Sequence, residues 1–185
     1  RALVAIGGVL VFWEWQSITG YDRYGVLELA APGAIAASAF MVMADFPMLQ
    51  SVIPAVFAML FAIAAAVRRG VPFWFPAGVP YALLPSLGLT ALRDNNSNGL
   101  YAVVFLFSVV WATDIFAYFG GRALGGPKLW PAISPNKTWS GALSGTFAAI
   151  AAGLCVALWA GESNLTFLAI MAMALSIASQ AGDLF

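Results

Sequence analysis

Residues 99–119 read GLYAVVFLFSVVWATDIFAYF, and residues 141–160 read GALSGTFAAIAAGLCVALWA. Between these two apolar runs lies GGRALGGPKLWPAISPNKTW, residues 120–139, which contains three cations and no acid. An apolar run of about 20 residues is long enough to cross a bilayer as a helix. The order of apolar run, polar stretch and apolar run therefore predicts two membrane helices with a polar site between them.

The rest of the chain repeats this pattern. Of its 185 residues, 62% are hydrophobic and 9% are charged, whereas about a quarter of the residues of a soluble domain are charged. Further apolar runs cover Leu3–Ile18, Leu27–Met43, Met48–Val67, Ala77–Leu92 and the residues from Leu165 to the end. Because helices satisfy their own backbone hydrogen bonds in lipid, we predict an all-α, polytopic transmembrane helical bundle of about seven spans.

We expect residues 1–185 to form a single integral-membrane domain. The chain starts at Arg1 beside an apolar run and stops at Phe185 directly after another. We therefore also expect it to be a piece of a longer protein, truncated at the C-terminus and at the N-terminus.

The basic residues are distributed unevenly between the predicted loops. Alternate threading of the seven spans places Arg1 and Arg93 on one face and six cations on the other, namely Arg23, Arg68, Arg69, Arg122, Lys128 and Lys137. The positive-inside rule makes the face with six cations cytoplasmic. The same threading places Asp183 at this face and Asp114 about a turn and a half before the polar stretch.

The absence of some residue types limits the chemistry. The chain has no histidine, which excludes a Ser-His-Asp site and a His-ligated zinc or haem site built from this chain. A lone Cys155 excludes intrachain disulfides and cysteine metal clusters. The carboxylates, cations, hydroxyls and backbone amides that remain are ligands of hard cations and of phosphates. We expect no nucleic-acid partner.

The polar stretch is suited to binding a phosphate. Asn136, Lys137 and Thr138 lie at the start of the sixth span, where unpaired amides and the helix dipole favour an anion. Arg122 and Lys128 add positive charge. The alternative is that these cations only anchor helices at the lipid headgroups, but the Gly, Pro, Ser and Asn content of the stretch favours a shaped loop.

Asp114 is the strongest single candidate for a functional residue. An ionisable group within a span usually faces a cavity or a partner, and Asp114, Tyr118 and Arg122 follow one another at helical spacing. The alternative is an Asp114–Arg122 ion pair that only fixes helix packing. Separately, the Gly141-x-x-x-Gly145 pattern predicts a close contact between helices.

These residues carry a resemblance to a known family. The central block of the phosphatidate cytidylyltransferases, also called CDP-diacylglycerol synthases, resembles four segments of this chain: Asp114–Tyr118, Phe119–Arg122, Lys128–Leu129 and Ile133–Gly141. The beginning of the C-terminal hallmark region of the same family resembles Ser179–Phe185. Ser140 stands where the family commonly has Glu, and Ile115 where a Thr or a small residue is frequent. The hallmark continues in the family beyond Gly-Asp-Leu, so we expect the 185 residues alone to be inactive.

The resemblance implies transfer of a cytidylyl group from CTP to phosphatidic acid, with CDP-diacylglycerol and pyrophosphate as products. It implies catalytic roles for Asp114, Lys137 and Asp183, with Mg²⁺ held by Asp183 and Asp114. Substrate contacts are expected at Arg122, Lys128, Ser134, Asn136, Thr138 and Gln180.

The expected location is the inner, or cytoplasmic, membrane of a bacterium, as a multi-pass protein in contact with the lipid bilayer. A homodimer is left open. Two other functions also remain open: a CTP-dependent polyprenol or phytol kinase, and a membrane transporter with Asp114 as its ion site.

Overall fold

The structure, a computed structural model, describes residues 2–19, 33–38, 40–41, 44, 46, 48–69, 74–94 and 98–183. These residues are mostly helical. The elements with complete bounds are α1 (Ala2–Thr19), α2 (Met48–Arg69), α3 (Trp74–Asp94), α4 (Gly99–Leu124), β1 (Lys128–Trp130), β2 (Ser134–Thr138), α5 (Trp139–Trp159) and α6 (Leu165–Gly182). Residues 33–38 and 40–41 are also helical.

The helices follow the predicted apolar runs closely. Six of the seven predicted spans coincide with α1 to α6 to within a few residues at most boundaries. The described helical residues 33–38 and 40–41 lie within the remaining span, Leu27–Met43, whose other residues lie outside the described part of the chain. Arg1 and Arg23, which entered the topology prediction, also lie outside it.

Three of the described helices, α4, α5 and α6, are long and apolar enough to cross a membrane. The chain is therefore a mostly helical membrane protein, and the count of seven spans stays a prediction. Two compact units divide the chain, Arg1–Asp94 and Asn95–Phe185. This division does not test whether residues 1–185 form one integral-membrane domain, which also stays a prediction.

In the first unit, α3 packs against both α1 and α2. The interior of this unit is formed by apolar side chains such as Phe12, Val79 and Ala82, which are almost fully buried. Ser86 on α3 lies against Gly8 of α1, and its hydroxyl donates to the Ala82 carbonyl oxygen at 3.1 Å. A hydroxyl bonded back to its own helix adds no unpaired donor to an apolar contact.

In the second unit, α4 and α5 approach each other along a stripe of small residues. The buried residues of α5 recur every fourth position: Gly141, Gly145, Ala149, Gly153 and Ala157. A Cβ atom on Gly145 would lie 2.7 Å from the Thr113 carbonyl oxygen of α4. The predicted close helix contact at Gly141-x-x-x-Gly145 is therefore confirmed, and small residues allow it because they let two backbones meet.

Aromatic side chains mark both ends of the second unit. Tyr101 and Trp159 meet edge to face at one end, with ring centroids 4.9 Å apart, and Tyr118 and Phe119 do so near the other, at 5.3 Å. At a rise of about 1.5 Å per residue, Tyr101 and Tyr118 are separated by about 26 Å along α4. This separation is close to the thickness of the bilayer core, about 30 Å, at whose borders aromatic residues concentrate.

The structure corrects the prediction for the polar stretch in two ways. First, α4 does not stop at Phe119 but continues to Leu124, so Asp114 lies almost three turns before the helix end instead of a turn and a half. The helix ends where Gly125 and Gly126 adopt positive φ angles of 62° and 104°, a conformation that glycine adopts without steric cost.

Second, the all-α prediction misses a β-hairpin. Strands β1 and β2 pair antiparallel, with Lys128 opposite Thr138 and Trp130 opposite Ser134, and the register is irregular between these pairs. The turn is closed by the Ile133 amide, which donates to the Trp130 carbonyl oxygen at 3.2 Å. The predicted shaped loop is thus a short hairpin that leads directly into α5.

Candidate functional site

An ion pair joins the hairpin to the end of α6. The Lys137 Nζ atom on β2 lies 3.0 Å from the Asp183 Oδ2 atom, which directly follows α6. Both side chains are partly exposed, Lys137 at 31% and Asp183 at 55%, so a ligand can reach them. The contact confirms that Asp183 lies at the same end of the helices as the polar stretch.

Asp114 belongs to the same group of charges. It is exposed on α4, and its carboxylate is close enough to both Asp183 and Lys137 for Coulombic interaction with each. The structure thus brings together the three residues predicted to be catalytic, which come from α4, β2 and the end of α6. The positive charge of Lys137 offsets part of the repulsion between the two carboxylates.

Among the described residues, Asp114 and Arg122 do not form the ion pair that was the alternative role for Asp114. The Arg122 guanidinium donates instead to the Tyr118 hydroxyl at 3.0 Å. Arg122 lies in the last turn of α4, not in a loop, and its side chain is exposed. Asp114 and Arg122 are therefore both free to take part in separate contacts with a ligand.

The start of α5 is built by side chains of the polar stretch. The Thr138 hydroxyl accepts from the Gly141 amide at 3.1 Å, an N-cap bond that satisfies one of the unpaired amides of the first turn. The Ser140 hydroxyl donates to the Gly125 carbonyl oxygen, and the Trp139 amide donates to the Pro127 carbonyl oxygen at 3.1 Å. These bonds tie the hairpin to the end of α4 and the start of α5.

Four of the predicted contact residues lie on the hairpin, and Gln180 lies on α6. Lys128 on β1 and Asn136 on β2 are exposed, whereas Ser134 is partly buried. Thr138 is only 6% exposed, so its hydroxyl serves the helix cap. The substrate contacts predicted for these residues, for Arg122 and for Gln180 stay predictions.

The carboxylates available for a metal ion are few. No group of three or more Asp, Glu, His or Cys side chains that could hold a metal occurs among the described residues. Asp114 and Asp183 remain as a pair. A Mg²⁺ ion bound against phosphates usually takes one or two protein carboxylates, with substrate oxygens and water as its other ligands, so this pair fits such an ion when phosphates are present.

A buried polar network was not predicted. Thr113 and Ser176 are fully buried, and their hydroxyl oxygens lie 2.9 Å apart. The Gln180 amide nitrogen donates to the hydroxyl oxygens of Thr146 at 3.1 Å and of Ser176 at 3.2 Å. A signal was present in the sequence, because each of three apolar runs carries a hydroxyl residue, but the sequence alone does not indicate which of them face one another.

Comparison with known proteins places the sequence of this chain in a family. A profile of the Cytidylyltransferase family matches residues 1–185, which is the whole chain. The protein belongs to this family.

Similar proteins carry a more specific name. The chain is 40% identical over 179 residues to a phosphatidate cytidylyltransferase of Brucella abortus biovar 1 (strain 9-941), and 39% identical over the same length to one of Brucella melitensis biotype 1. These alignments cover 96% of this chain and 65% of each relative, so the chain spans slightly less than two thirds of their length.

A more distant relative matches a shorter segment. A phosphatidate cytidylyltransferase of Staphylococcus saprophyticus is 39% identical over 99 residues, which are 53% of this chain and 38% of the relative. No solved structure matches the chain.

Proposed function

We propose that the protein is a phosphatidate cytidylyltransferase, which transfers the cytidylyl group of CTP to phosphatidic acid and releases pyrophosphate. Membership of the family and the names of the Brucella relatives support this proposal. The observation that carries it is the ion pair of Lys137 with Asp183 at one end of three membrane-length helices, near enough to Asp114 for Coulombic interaction. Such a site combines access to a membrane lipid with the charges needed to bind phosphates.

The reaction is a substitution at the α-phosphorus of CTP. A phosphate oxygen of phosphatidic acid forms a bond to this phosphorus, the bond to the oxygen that bridges the α- and β-phosphorus atoms breaks, and pyrophosphate leaves with the electron pair. The nucleophile is already an anion, so no histidine base is required. What the protein must do is bring two polyanions together in line and neutralise their charge.

In this proposal Lys137 contributes to this task. A primary ammonium group is a compact charge with three donors, and Lys137 lies where the hairpin meets the end of α6. Lys128 and Arg122 add charge on both sides of the turn at Gly125 and Gly126. In this proposal all three cations contact substrate phosphates, while Ser134 and Asn136 supply further polar contacts.

Asp114 and Asp183 are the residues that would hold Mg²⁺. The ion, when bound, would neutralise charge on the phosphates and on the leaving pyrophosphate. Gln180, nearly one turn before Asp183, is proposed to contact substrate through its amide oxygen, because its amide nitrogen already donates to hydroxyls.

The proposed location is the cytoplasmic side of a bacterial inner membrane. Three cations, Arg122, Lys128 and Lys137, lie at one end of the second unit, and Glu162 is the charged residue between α5 and α6 at the other. This asymmetry supports a cytoplasmic position for the hairpin, where CTP is available. A homodimer stays a prediction.

Isotope transfer tests the proposed reaction. The purified protein is incubated in lipid with phosphatidic acid and with CTP labelled at either the α- or the γ-phosphorus. We expect label in the lipid product only from α-labelled CTP, with label from γ-labelled CTP in pyrophosphate. Lipid labelled only from the γ-position would instead establish a kinase, and no CTP-dependent product with ion flux through vesicles would favour a transporter.

A further inference from the structure

The polar network inside the second unit connects three helices at a single level. It comprises Thr113 on α4, Thr146 on α5, and Ser176 and Gln180 on α6. The Thr113 and Ser176 hydroxyl oxygens are 2.9 Å apart, and the Gln180 amide nitrogen donates to Thr146 at 3.1 Å and to Ser176 at 3.2 Å. Every helix of this unit therefore shares hydrogen bonds with at least one of the other two through this network.

These bonds have a specificity that the surrounding packing lacks. Around them the helices meet through apolar residues such as Val109, Ala149 and Ala172, and α5 presents a repeating small-residue stripe to α4. A repeating stripe permits several similar registers, and lipid provides little hydrophobic force to choose among them. The Thr113 hydroxyl can bond to the Val109 carbonyl oxygen of its own helix at 2.9 Å, whereas the bonds of the buried Ser176 hydroxyl go to side chains. Ser176 therefore has Thr113 as a partner only in the register that places the two residues opposite each other.

The network lies directly beside the proposed site. Thr113 immediately precedes Asp114, and Gln180 lies three residues before Asp183 on α6. A sliding motion of α4 or α6 by one turn would move a carboxylate by about 5.4 Å. The relative position of Asp114 and Asp183 thus depends on the register that Thr113, Ser176 and Gln180 select.

We propose that Thr113, Ser176 and Gln180 are positioning residues, whose hydrogen bonds hold α4 and α6 in the register that places Asp114 and Asp183 around Lys137. This inference rests on the proposed function for its catalytic consequence. Its structural part, the register of the two helices, does not. Thr113 and Ser176 act without touching substrate, because both are fully buried.

The test compares hydroxyl removal with hydroxyl retention at Thr113. Thr113→Val keeps the shape and removes the hydroxyl, and Thr113→Ser keeps the hydroxyl. We expect Thr113→Val to lower kcat by about tenfold or more through misplacement of the carboxylates, with KM for CTP near its wild-type value, and Thr113→Ser to restore kcat. Ser176→Ala, which removes the shared partner, is expected to behave as Thr113→Val does.

A control and an activity-independent measurement complete the test. Thr166→Val removes an exposed hydroxyl near the other end of α6 and is expected to leave kcat unchanged. Spin labels on cysteines at the exposed positions Ile115 and Ile177, in a Cys155→Ala background, report the distance between α4 and α6 in lipid nanodiscs. We expect the distance distribution to broaden or shift in Thr113→Val and Ser176→Ala, and to stay narrow in Thr113→Ser.

An unchanged distance distribution in Thr113→Val and Ser176→Ala would overturn the proposal, and so would a loss of kcat in Thr113→Ser as large as in Thr113→Val. A reduced yield of folded protein with unchanged kcat per folded molecule would also overturn it, because that result identifies a packing role only. If the wild-type protein forms no CDP-diacylglycerol but the distances still respond to the hydroxyl, the register inference stands and the proposed function fails.

Discussion

At the scale of single residues, Lys137 explains how two acids can share one end of the helices. Its ion pair with Asp183 at 3.0 Å is partly exposed, and such pairs contribute about 0–1 kcal/mol because water screens them. In the proposed function, the exchange of Asp183 for phosphate oxygens as the partner of Lys137 therefore costs little. The ion pair keeps the Lys137 side chain near Asp183 and still allows it to change partner.

The first prediction concerns the charge of Lys137. Lys137→Ala in the whole protein should lower kcat/KM by roughly ten- to a hundredfold, because a charge-assisted hydrogen bond contributes about 1.5–3 kcal/mol. Lys137→Arg should restore activity only in part, since a planar guanidinium replaces a compact ammonium group. Steady-state kinetics with phosphatidic acid and CTP measure both.

A matched control for this prediction is Arg93→Ala, which removes an exposed cation from the last turn of α3. We expect it to leave kcat/KM unchanged. Wild-type turnover in Lys137→Ala, with normal membrane insertion, would contradict the prediction and indicate that Lys137 only determines topology.

The second prediction concerns the acids. Asp183→Asn and Asp114→Asn keep the shape of each side chain but remove the charge that would hold a cation. Each should raise the Mg²⁺ concentration needed for half-maximal CTP binding, as measured by equilibrium binding in nanodiscs, and should lower turnover. Glu162→Gln, at the other end of the second unit, is the control and should change neither. An unaltered Mg²⁺ requirement in both Asp variants would contradict the metal assignment.

At the scale of elements, the close approach of α4 and α5 determines where the hairpin ends. Gly141 and Gly145 lie against the backbone of α4, and Thr138 caps α5 just before this contact. A backbone-to-backbone contact cannot be relieved by a rotamer change. The position of Lys137 therefore follows from the small residues of α5.

The third prediction tests this contact. Gly145→Ala places a Cβ atom 2.7 Å from the Thr113 carbonyl oxygen, and overpacking of this kind costs about 1–3 kcal/mol. We expect a lower midpoint of thermal unfolding in detergent. Gly88→Ala is the matched control, because a Cβ atom there meets nothing within 4 Å and alanine favours a helix. An equal or higher midpoint in Gly145→Ala would show that α4 and α5 separate without cost.

At the scale of the whole molecule, the distribution of charge relates the site to the membrane. The second unit has three helices of membrane-spanning length, a basic hairpin at one end and a short turn with Glu162 at the other. Because lysine and arginine concentrate in cytoplasmic loops, this unit has a preferred orientation. In the proposed function, the orientation decides from which side CTP reaches the hairpin.

The fourth prediction tests the orientation by chemical labelling. Single cysteines at Ala132, in the hairpin turn, and at Ser163, between α5 and α6, are introduced in a Cys155→Ala background. An impermeant thiol reagent added to intact cells should label Ser163→Cys, whereas Ala132→Cys should react only after the membrane is opened. Labelling of Ala132→Cys in intact cells would show that the orientation is opposite to the predicted one, and that cytosolic CTP cannot reach the site.

The sequence by itself determined the helices and the residue types available to the candidate site. Apolar runs long enough to cross a bilayer predicted α1 to α6 because burial of helices in lipid depends on length and composition, which are local properties. Asp114 was predicted as a charge within an apolar run, and Lys137 as a cation at the start of the sixth span. The alternation of spans placed Asp183 on the same side as the polar stretch.

Only the tertiary structure decided how these parts meet. The end of α4 at Leu124 was not predicted, because Gly120 and Gly121 suggested an earlier break although they lie inside the helix against Ser144 and Gly141. The hairpin was missed because its strands are short and polar. The Thr113–Ser176 contact joins residues 63 positions apart, and the Lys137–Asp183 pair joins residues 46 apart. Local patterns specify which residues are polar, but the choice of partner depends on packing between helices distant in the chain.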